Sequence, residues 1–295
     1  MDGFININKP AGFTSHDVVA VVRKTLSFKK IGHTGTLDPA ATGVLPLCLG
    51  NATRLAEYIT DCEKIYRAEI LFGVTTTSSD ADGQIIRQTP CFELTEAAVA
   101  SAMKNFVGVI QQVPPMVSAL KFNGKPLHQL ARQGIEIERT PRKVTIYKAE
   151  IISYREGEQP VLTVEITCSK GTYIRSWAND LGESLGFGAS LKSLIRLKVG
   201  QFELGNAYTL EELKTMSDKQ ENSFLIPMRV GISHLPVVVV ENVLLNKVLC
   251  GNAVVLPHNP GDFAVCQVID CANRLLGIGK TAAGVLGMNK VFNQE

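Results

Sequence analysis

Apolar and polar positions alternate strictly along residues 64–73, KIYRAEILFG. Tyr66, Ala68, Ile70 and Phe72 fall on one face, and Arg67 and Glu69 on the other. A period of two predicts a half-buried strand, and Tyr66 opens its apolar face. Residues 160–168, PVLTVEITC, repeat the pattern with Leu162, Val164, Ile166 and Cys168. Elsewhere the period lengthens. Val18, Val19, Val22 and Leu26 share one side of a helix over 15–26, with Thr14 or Ser15 as its cap. Val99, Met103 and Phe106 mark a second helix that starts at Thr95 and stops at Gly108. In YIRSWANDLGESLG the stripe is Ile174, Trp177, Ala178, Leu181 and Leu185, and Arg175 lies in the first turn, off that stripe.

Between these elements the chain is punctuated. NATRLAEYI reads as a short helix, SSDADGQ as a turn, and Thr209 with Glu212 as a capping box. VPPMVSALKFNGKPLHQLARQG sets Pro-Pro and Asn-Gly breaks around a short helix bearing Leu127, Leu130 and Ala131 on one side. It reads as a loop over a site more than as core. After about residue 232, Val, Gly and Asn rise in frequency, and strands alternate with glycine turns; a small β-rich C-terminal domain is expected there.

Composition adds limits. The 295 residues, 45% apolar and 20% charged, are those of an ordinary globular protein with one large core or two domains. The longest apolar runs are too short to span a bilayer, and the N-terminus MDGFININKPAG lacks the layout of a secretion signal, so a cytoplasmic location is expected. Seven cysteines, without a CxxC pair or zinc-finger spacing, read as buried free thiols. Net charge is only +2, yet seven basic residues between Lys121 and Lys148 face only Glu136 and Glu138. That local excess suits a polyanion, and equally suits a solvated face without a partner.

One carboxylate stands out. IGHTGTLDPAATGVLPLCLG, residues 31–50, sets Asp38 among turn residues just ahead of an apolar segment. Taken alone, Asp38 would merely tie a turn. His33 and Asp38 have no second group of metal ligands nearby, and the Gly-Lys-Ser/Thr ending of a phosphate loop is absent.

GFININKPAGFTSHDVV, IGHTGTLDPAATGVLPLCLG, KIYRAEILFG, SSDADG, PPMVSALKFNGKPLHQLARQG, RKVTIY, CSKGTYIRSWANDLGESLG and LIRLKVGQF occur in this order. Together they resemble the bacterial tRNA pseudouridine-55 synthases over nearly all of the first 230 residues. The tail resembles a PUA-type RNA-binding domain by position more than by residues. The resemblance implies an α+β catalytic domain over 1–232 with a mixed, largely antiparallel sheet. It also implies an RNA-binding insertion at about 114–143 and a PUA-like domain over 233–295. It assigns Asp38 as nucleophile, a carboxylate suited to splitting one difficult displacement into two steps. Arg175 then orients Asp38, Tyr66 packs on the target base, and Tyr173 and Leu194 line the uridine pocket. His33 helps hold the RNA with the nucleotide swung out, and Lys9 supports the catalytic loop. Without the family, Tyr66, Tyr173 and Leu194 read as core, His33 as a buried structural residue and Arg175 as a surface residue. A cation in a first helical turn opposes the helix dipole, which points to a local anion.

The target uridine sits in a folded loop and must be extruded. Lys121, Lys125, Arg132, Arg142 and Lys143 are the expected backbone contacts. His128 stands where the family commonly has Tyr, which bears on one contact of the insertion. The implied function is isomerisation of uridine to pseudouridine in the T loop of tRNA, by a monomer without metal, cofactor or obligate protein partner. Attack by Asp38 at C1′ or at C6, or a first action as base, all stay open. A non-catalytic tRNA chaperone and a nucleoside hydrolase or transferase are the rival readings.

Overall fold

The computed structural model describes residues 1–292 except 119, 123, 128, 129, 131, 132 and 136. Its first part runs β1 (Gly3–Lys9), α1 (Ser15–Thr25), β2 (Ile31–His33), β3 (Thr42–Leu49), α2 (Ala56–Thr60), β4 (Lys64–Phe72), β5 (Val74–Thr76) and β6 (Ile85–Gln88). It continues through α3 (Glu96–Met103), β7 (Gly108–Gln112), β8 (Lys121–Phe122), β9 (Lys125–Pro126), β10 (Arg142–Arg155) and β11 (Val161–Cys168). Then come α4 (Ile174–Ser184), β12 (Ala189–Val199), β13 (Phe202–Glu203) and α5 (Leu210–Asp218).

The main sheet has the order β1-β3-β12-β4-β11-β10-β7, with β2 added to β3 and β13 to β12. It is the expected mixed, largely antiparallel sheet: among the described residues its one parallel pairing joins β12 to β3. β1 takes one edge of β3 along its whole length. The other edge is shared, with β12 at Thr42 and Gly43 and β2 at Leu47–Leu49. Residues 34–41 leave the sheet where these two neighbours meet, so the Asp38 loop is anchored on both sides by strands.

The alternation along 64–73 becomes central strand β4, in which Ala68, Ile70 and Phe72 are fully buried. They pack with Leu162, Val164 and Ile166 of β11 under Trp177 and Leu181 of α4. Trp177 is itself fully buried and donates its indole N–H to the Phe106 carbonyl at 3.2 Å. Thr14 caps α1 in a capping box with Asp17, Thr95 caps α3, and Thr209 with Glu212 caps α5.

β1 and β3 are buried on both faces. Ile5, Ile7, Leu45 and Leu47 meet Val18 and Val22 of α1 and Leu213 of α5. Phe4, Val44 and Cys48 face the opposite way, onto the C-terminal sheet. That sheet comprises β14 (Val237–Val240), β15 (Val254–Val255), β16 (Phe263–Asp270), β17 (Leu275–Ala282) and β18 (Val285–Val291) in the order β14-β16-β17-β18-β15. Ile269, Leu275, Ile278 and Phe292 join Phe4 and Val44 in one cluster, so the β-rich tail shares a core with the body. Two clamps reinforce it: Arg54 stacks over Phe292 at 5.0 Å, and Lys290 over Tyr58 at 4.9 Å.

One expectation needs correction. Cys48, Cys91, Cys168 and Cys266 are buried free thiols, but Cys250 and Cys271 are exposed and Cys62 is half-buried. Cys250 ends the short helical segment Leu245–Leu249, and Cys271 lies in the β16–β17 turn, where the chain faces solvent. Leu127 and Leu130 of the insertion are buried, whereas Ala131 lies outside the described residues.

Candidate active site

The β2–β3 loop is held from below by Lys9. This lysine is fully buried at the end of β1, and its ammonium donates to the carbonyls of Pro10 at 2.9 Å, Phe13 at 2.7 Å and Pro39 at 3.0 Å. Burial lowers its pKa to about 8, and Asp38 opposes that fall. Ser15 at the start of α1 accepts the Leu37 N–H at 2.9 Å, and Gly12 N–H donates to Pro39 at 2.9 Å. The residues flanking Asp38 are therefore fixed by backbone bonds, which frees the Asp38 carboxylate from tying the turn.

That carboxylate meets Arg175 in a fork. Arg175 Nε lies 3.0 Å from Oδ2, and Nη2 lies 3.2 Å from Oδ1. Arg175 sits in the first turn of α4 with a side chain only 3% exposed. Its other donors reach the Val117 carbonyl at 2.7 Å, the Ser78 carbonyl at 3.4 Å and Asp80 Oδ2 at 3.4 Å. Arg175 thus has no rotational freedom, and the plane of Asp38 is set by its partner. The Asp38 side chain keeps 41% of its surface open to the cavity. Burial nevertheless raises its pKa above the ordinary carboxylate range; Arg175 opposes this rise, and Asp80 adds to it. The result is a carboxylate more basic than usual, oriented and facing a cleft.

The cleft is a cavity of ≈ 250 Å³. Its walls include Asp38, Tyr66, Tyr173, Arg175 and Leu194, five of the expected site residues, drawn from the loop, β4, α4 and β12. Tyr66 is 8% exposed, and burial raises its pKa while Arg196, its cross-strand partner, opposes the rise. Tyr173 precedes α4 and is fixed by Gln112 of β7, which accepts the Tyr173 N–H at 2.7 Å and donates to its carbonyl at 2.9 Å. Leu194 sits opposite Ala68 in the ladder, so its apolar body faces the space beside Tyr66. The arrangement pairs a flat aromatic wall and an aliphatic wall with one nucleophile-grade carboxylate. A planar base and its sugar are suitable guests for such walls.

Of the remaining expected residues, His33 and Lys9 stand outside the cleft. His33 is not in its lining: its ring packs edge-on against His16 at 5.0 Å and accepts the Gly35 N–H at 3.4 Å. Burial and the neighbouring His16 lower its pKa to about 4, which leaves a neutral imidazole beside the loop. Lys9 is likewise absent from the lining and acts on Asp38 through Pro39. Lys125 on the β8–β9 hairpin is exposed, as are Arg142 and Lys143 where β10 begins, the first near enough to Tyr173 to act on its pKa. Lys121 lies in β8, while Arg132 and His128 fall outside the described residues.

Four charged residues unread in the sequence complete the cleft region, one of them Lys170 in its wall. Asp80, on the β5–β6 turn, supports Arg175 from the side opposite Asp38. SSDADG signals only a turn, and nothing local tells which of its carboxylates points inward. Lys64 and Arg196 both line the cavity. Their signal was periodicity, since Lys64 shares a strand face with Tyr66, and Arg196 with Leu194.

The family described as TruB family pseudouridylate synthase (N terminal domain) matches residues 23–174, and the tRNA pseudouridylate synthase B C-terminal domain matches residues 175–233. The tRNA pseudouridine synthase B of Symbiobacterium thermophilum is 48% identical over 253 residues, 86% of this chain and 83% of that protein. The tRNA pseudouridine synthase B of Clostridium kluyveri is 42% identical over 294 residues, 99% of this chain and 97% of that protein. Among solved structures, an H/ACA RNP bound to a substrate RNA containing 2'-deoxyuridine matches with a TM-score of 0.75 at 25% identity, over 99% of this chain and 85% of that one. A Cbf5-Nop10-Gar1 complex matches with a TM-score of 0.74 at 27% identity, over 99% of this chain and 84% of that one.

Proposed function

The chain belongs to the TruB family of pseudouridylate synthases, and on that premise we propose that Asp38 is the nucleophile with which it converts uridine to pseudouridine at position 55, in the T loop of tRNA. The enzyme is an isomerase that modifies tRNA. One observation carries the assignment of the nucleophile: the Asp38–Arg175 fork opens onto a cavity walled by Tyr66, Tyr173 and Leu194. The uridine is swung out of its loop to enter that cavity, with its base against Tyr66 and its sugar beside Asp38. The bond from C1′ to N1 breaks, C1′ then bonds to C5, and the proton lost from C5 is matched by one gained at N1. No electron or atom is needed from outside. Burial makes Asp38 a stronger nucleophile, and Arg175 holds it at one angle.

Lys125, Arg142 and Lys143 present exposed positive charge, suited to the phosphates of the T arm. Lys9 and His33 shape the loop from behind the cleft. The catalytic unit spans 1–232 with its insertion at about 114–143, and the PUA-like unit spans 233–295. It works as a cytoplasmic monomer on the T arm, without an obligate protein partner. No helix among the described residues is long and apolar enough to cross a membrane.

Tritium release from C5-labelled uridine in a tRNA transcript tests the reading. The native chain releases it, whereas Asp38→Asn releases none while holding tRNA within about tenfold of native affinity. Native-like release by Asp38→Asn removes the nucleophile, and liberation of free uracil points instead to a hydrolase.

A further inference from the structure

Among the described residues, two cations in the cavity wall lack the carboxylate partner that buried charge calls for. Arg175 is paired with Asp38 and Asp80, and Lys170, also in the wall, with Asp61 at 2.7 Å. Lys64 and Arg196 line the same cavity at 6% and 2% exposure, and neither has an ion pair with a carboxylate among the described residues. Arg196 is also close enough to disfavour the charge on Lys64. An unneutralised charge in a poorly solvated wall is costly, and two side by side cost more.

Their hydrogen bonds do not account for the charge. Lys64 donates to the carbonyls of Thr60 and Cys62 at the end of α2. Arg196 donates to the carbonyls of Val44 at 2.7 Å and Gly35 at 3.3 Å, and it also hydrogen-bonds the Tyr66 side chain. Neutral amides would serve those acceptors. An ammonium has three N–H donors and a guanidinium five, so both keep donors to spare beside the cavity.

The reaction itself supplies a transient anion. When the bond from C1′ to N1 breaks, its electron pair leaves with the base, and uracil becomes a monoanion spread over N1, O2 and O4. At that moment Asp38 is neutralised by its bond to carbon, and the base must remain bound until C5 joins C1′. We propose that Lys64 and Arg196 form a cationic sink that holds the detached uracil anion between its release through N1 and its reattachment through C5. Fixed donors aimed at charge that exists only after bond breaking lower the barrier without tightening the ground state. A phosphate is the less suitable guest. The phosphates of a flipped nucleotide remain in the strand at the mouth, while the base is the part that reaches the buried wall.

This inference rests on the reading of the cavity as the site of pseudouridine formation, and the test separates the two. Stem-loops carrying uridine or 5-fluorouridine at the target position are compared under single turnover for the rate at which the bond from C1′ to N1 is broken, a step both bases undergo although the fluoro base has no C5 proton to release afterwards. The fluoro base is the more acidic and its anion needs less help. Lys64→Gln keeps donors for Thr60 and Cys62 but removes the charge. It is expected to slow the uridine substrate by about 100-fold and the fluorouridine substrate by far less, with stem-loop affinity near native. Lys64→Arg is expected to restore most of the uridine rate. An equal loss on both substrates, or a loss confined to affinity, overturns the sink. If Lys64→Gln folds poorly, Arg196→Gln gives the same comparison. The native enzyme gives a third, because a working sink makes its preference for the fluoro base smaller than that of spontaneous cleavage of the two nucleosides; a preference as large as the spontaneous one overturns it. Activity surviving in Asp38→Asn would instead strike the underlying reading.

Discussion

Arg175 offers the sharpest separation of charge from geometry in this site. Arg175→Lys keeps a cation but can reach only one carboxylate oxygen, so the fork to Asp38 Oδ1 and Oδ2 is lost. One charge-assisted hydrogen bond to Asp38 and one to Val117 or Asp80 disappear in a wall where Arg175 is 3% exposed. Each is worth about 1.5–3 kcal/mol, and part of it is regained by lysine, so a net loss of about 3 kcal/mol is expected. In a chain of 295 residues that lowers Tm by roughly 6 °C. The freed carboxylate also samples other angles, and kcat is expected to fall by about 10²–10³ with little change in tRNA affinity. Arg175→Met removes the charge as well. Asp38 then faces Asp80 with nothing between them, and the cause that opposed its raised pKa is gone. The nucleophile works ionised, so activity is lost as pH falls through its pKa. A higher pKa moves that acid limb to higher pH in Arg175→Met, and hardly moves it in Arg175→Lys. Single-turnover tritium release across pH, with thermal melts and filter binding, reads all three quantities. Native kcat in Arg175→Lys, or an unmoved acid limb in Arg175→Met, would refute the reasoning.

Gly43→Ala tests the junction of β3 and β12: its φ is +102°, and a Cβ there would lie 2.2 Å from the Arg196 carbonyl oxygen, so a thermal melt should show a loss of at least about 2–3 kcal/mol together with reduced turnover. Phe292→Ala empties a position 2% exposed in the core shared with Phe4 and Val44; the expected cost is about 3–5 kcal/mol, read in denaturant melts of the whole chain, and an unchanged melt would show that the C-terminal sheet is not load-sharing. Replacing Arg142 and Lys143 by Gln should flatten the salt dependence of tRNA binding by a log–log slope of roughly 1.5, measured by filter binding at several salt concentrations; an unmoved slope excludes both from phosphate contact.

Much of the fold was legible in the chain because its periodicities are clean. The alternation at Tyr66, Ala68, Ile70 and Phe72 and that at Leu162, Val164, Ile166 and Cys168 became paired central strands. The caps at Thr14, Thr95 and Thr209 formed as their side-chain chemistry requires. Five site residues were likewise legible from motif resemblance and do meet in one cavity. His33 shares a motif with Asp38, and Lys9 stands in the motif before it, yet the backbone turns both behind the loop. Asp80 was hidden because a turn-rich acidic stretch looks alike whether it faces water or a guanidinium.

What the sequence determined alone is local: which stretches alternate, where helices start, and which residue types fill each motif, since those follow from backbone period and side-chain chemistry within a few residues. The tertiary structure decided everything that depends on distance across the chain. Asp38 and Arg175 are separated by 137 positions and become a forked pair only because β12 and β2 share one edge of β3 and α4 returns over the sheet. The burial that raises the Asp38 pKa, the charges of Lys64 and Arg196 that no carboxylate among the described residues pairs, and the core that the tail shares with the body come from the same packing. Solvent exclusion is a property of the assembled walls and of no single segment.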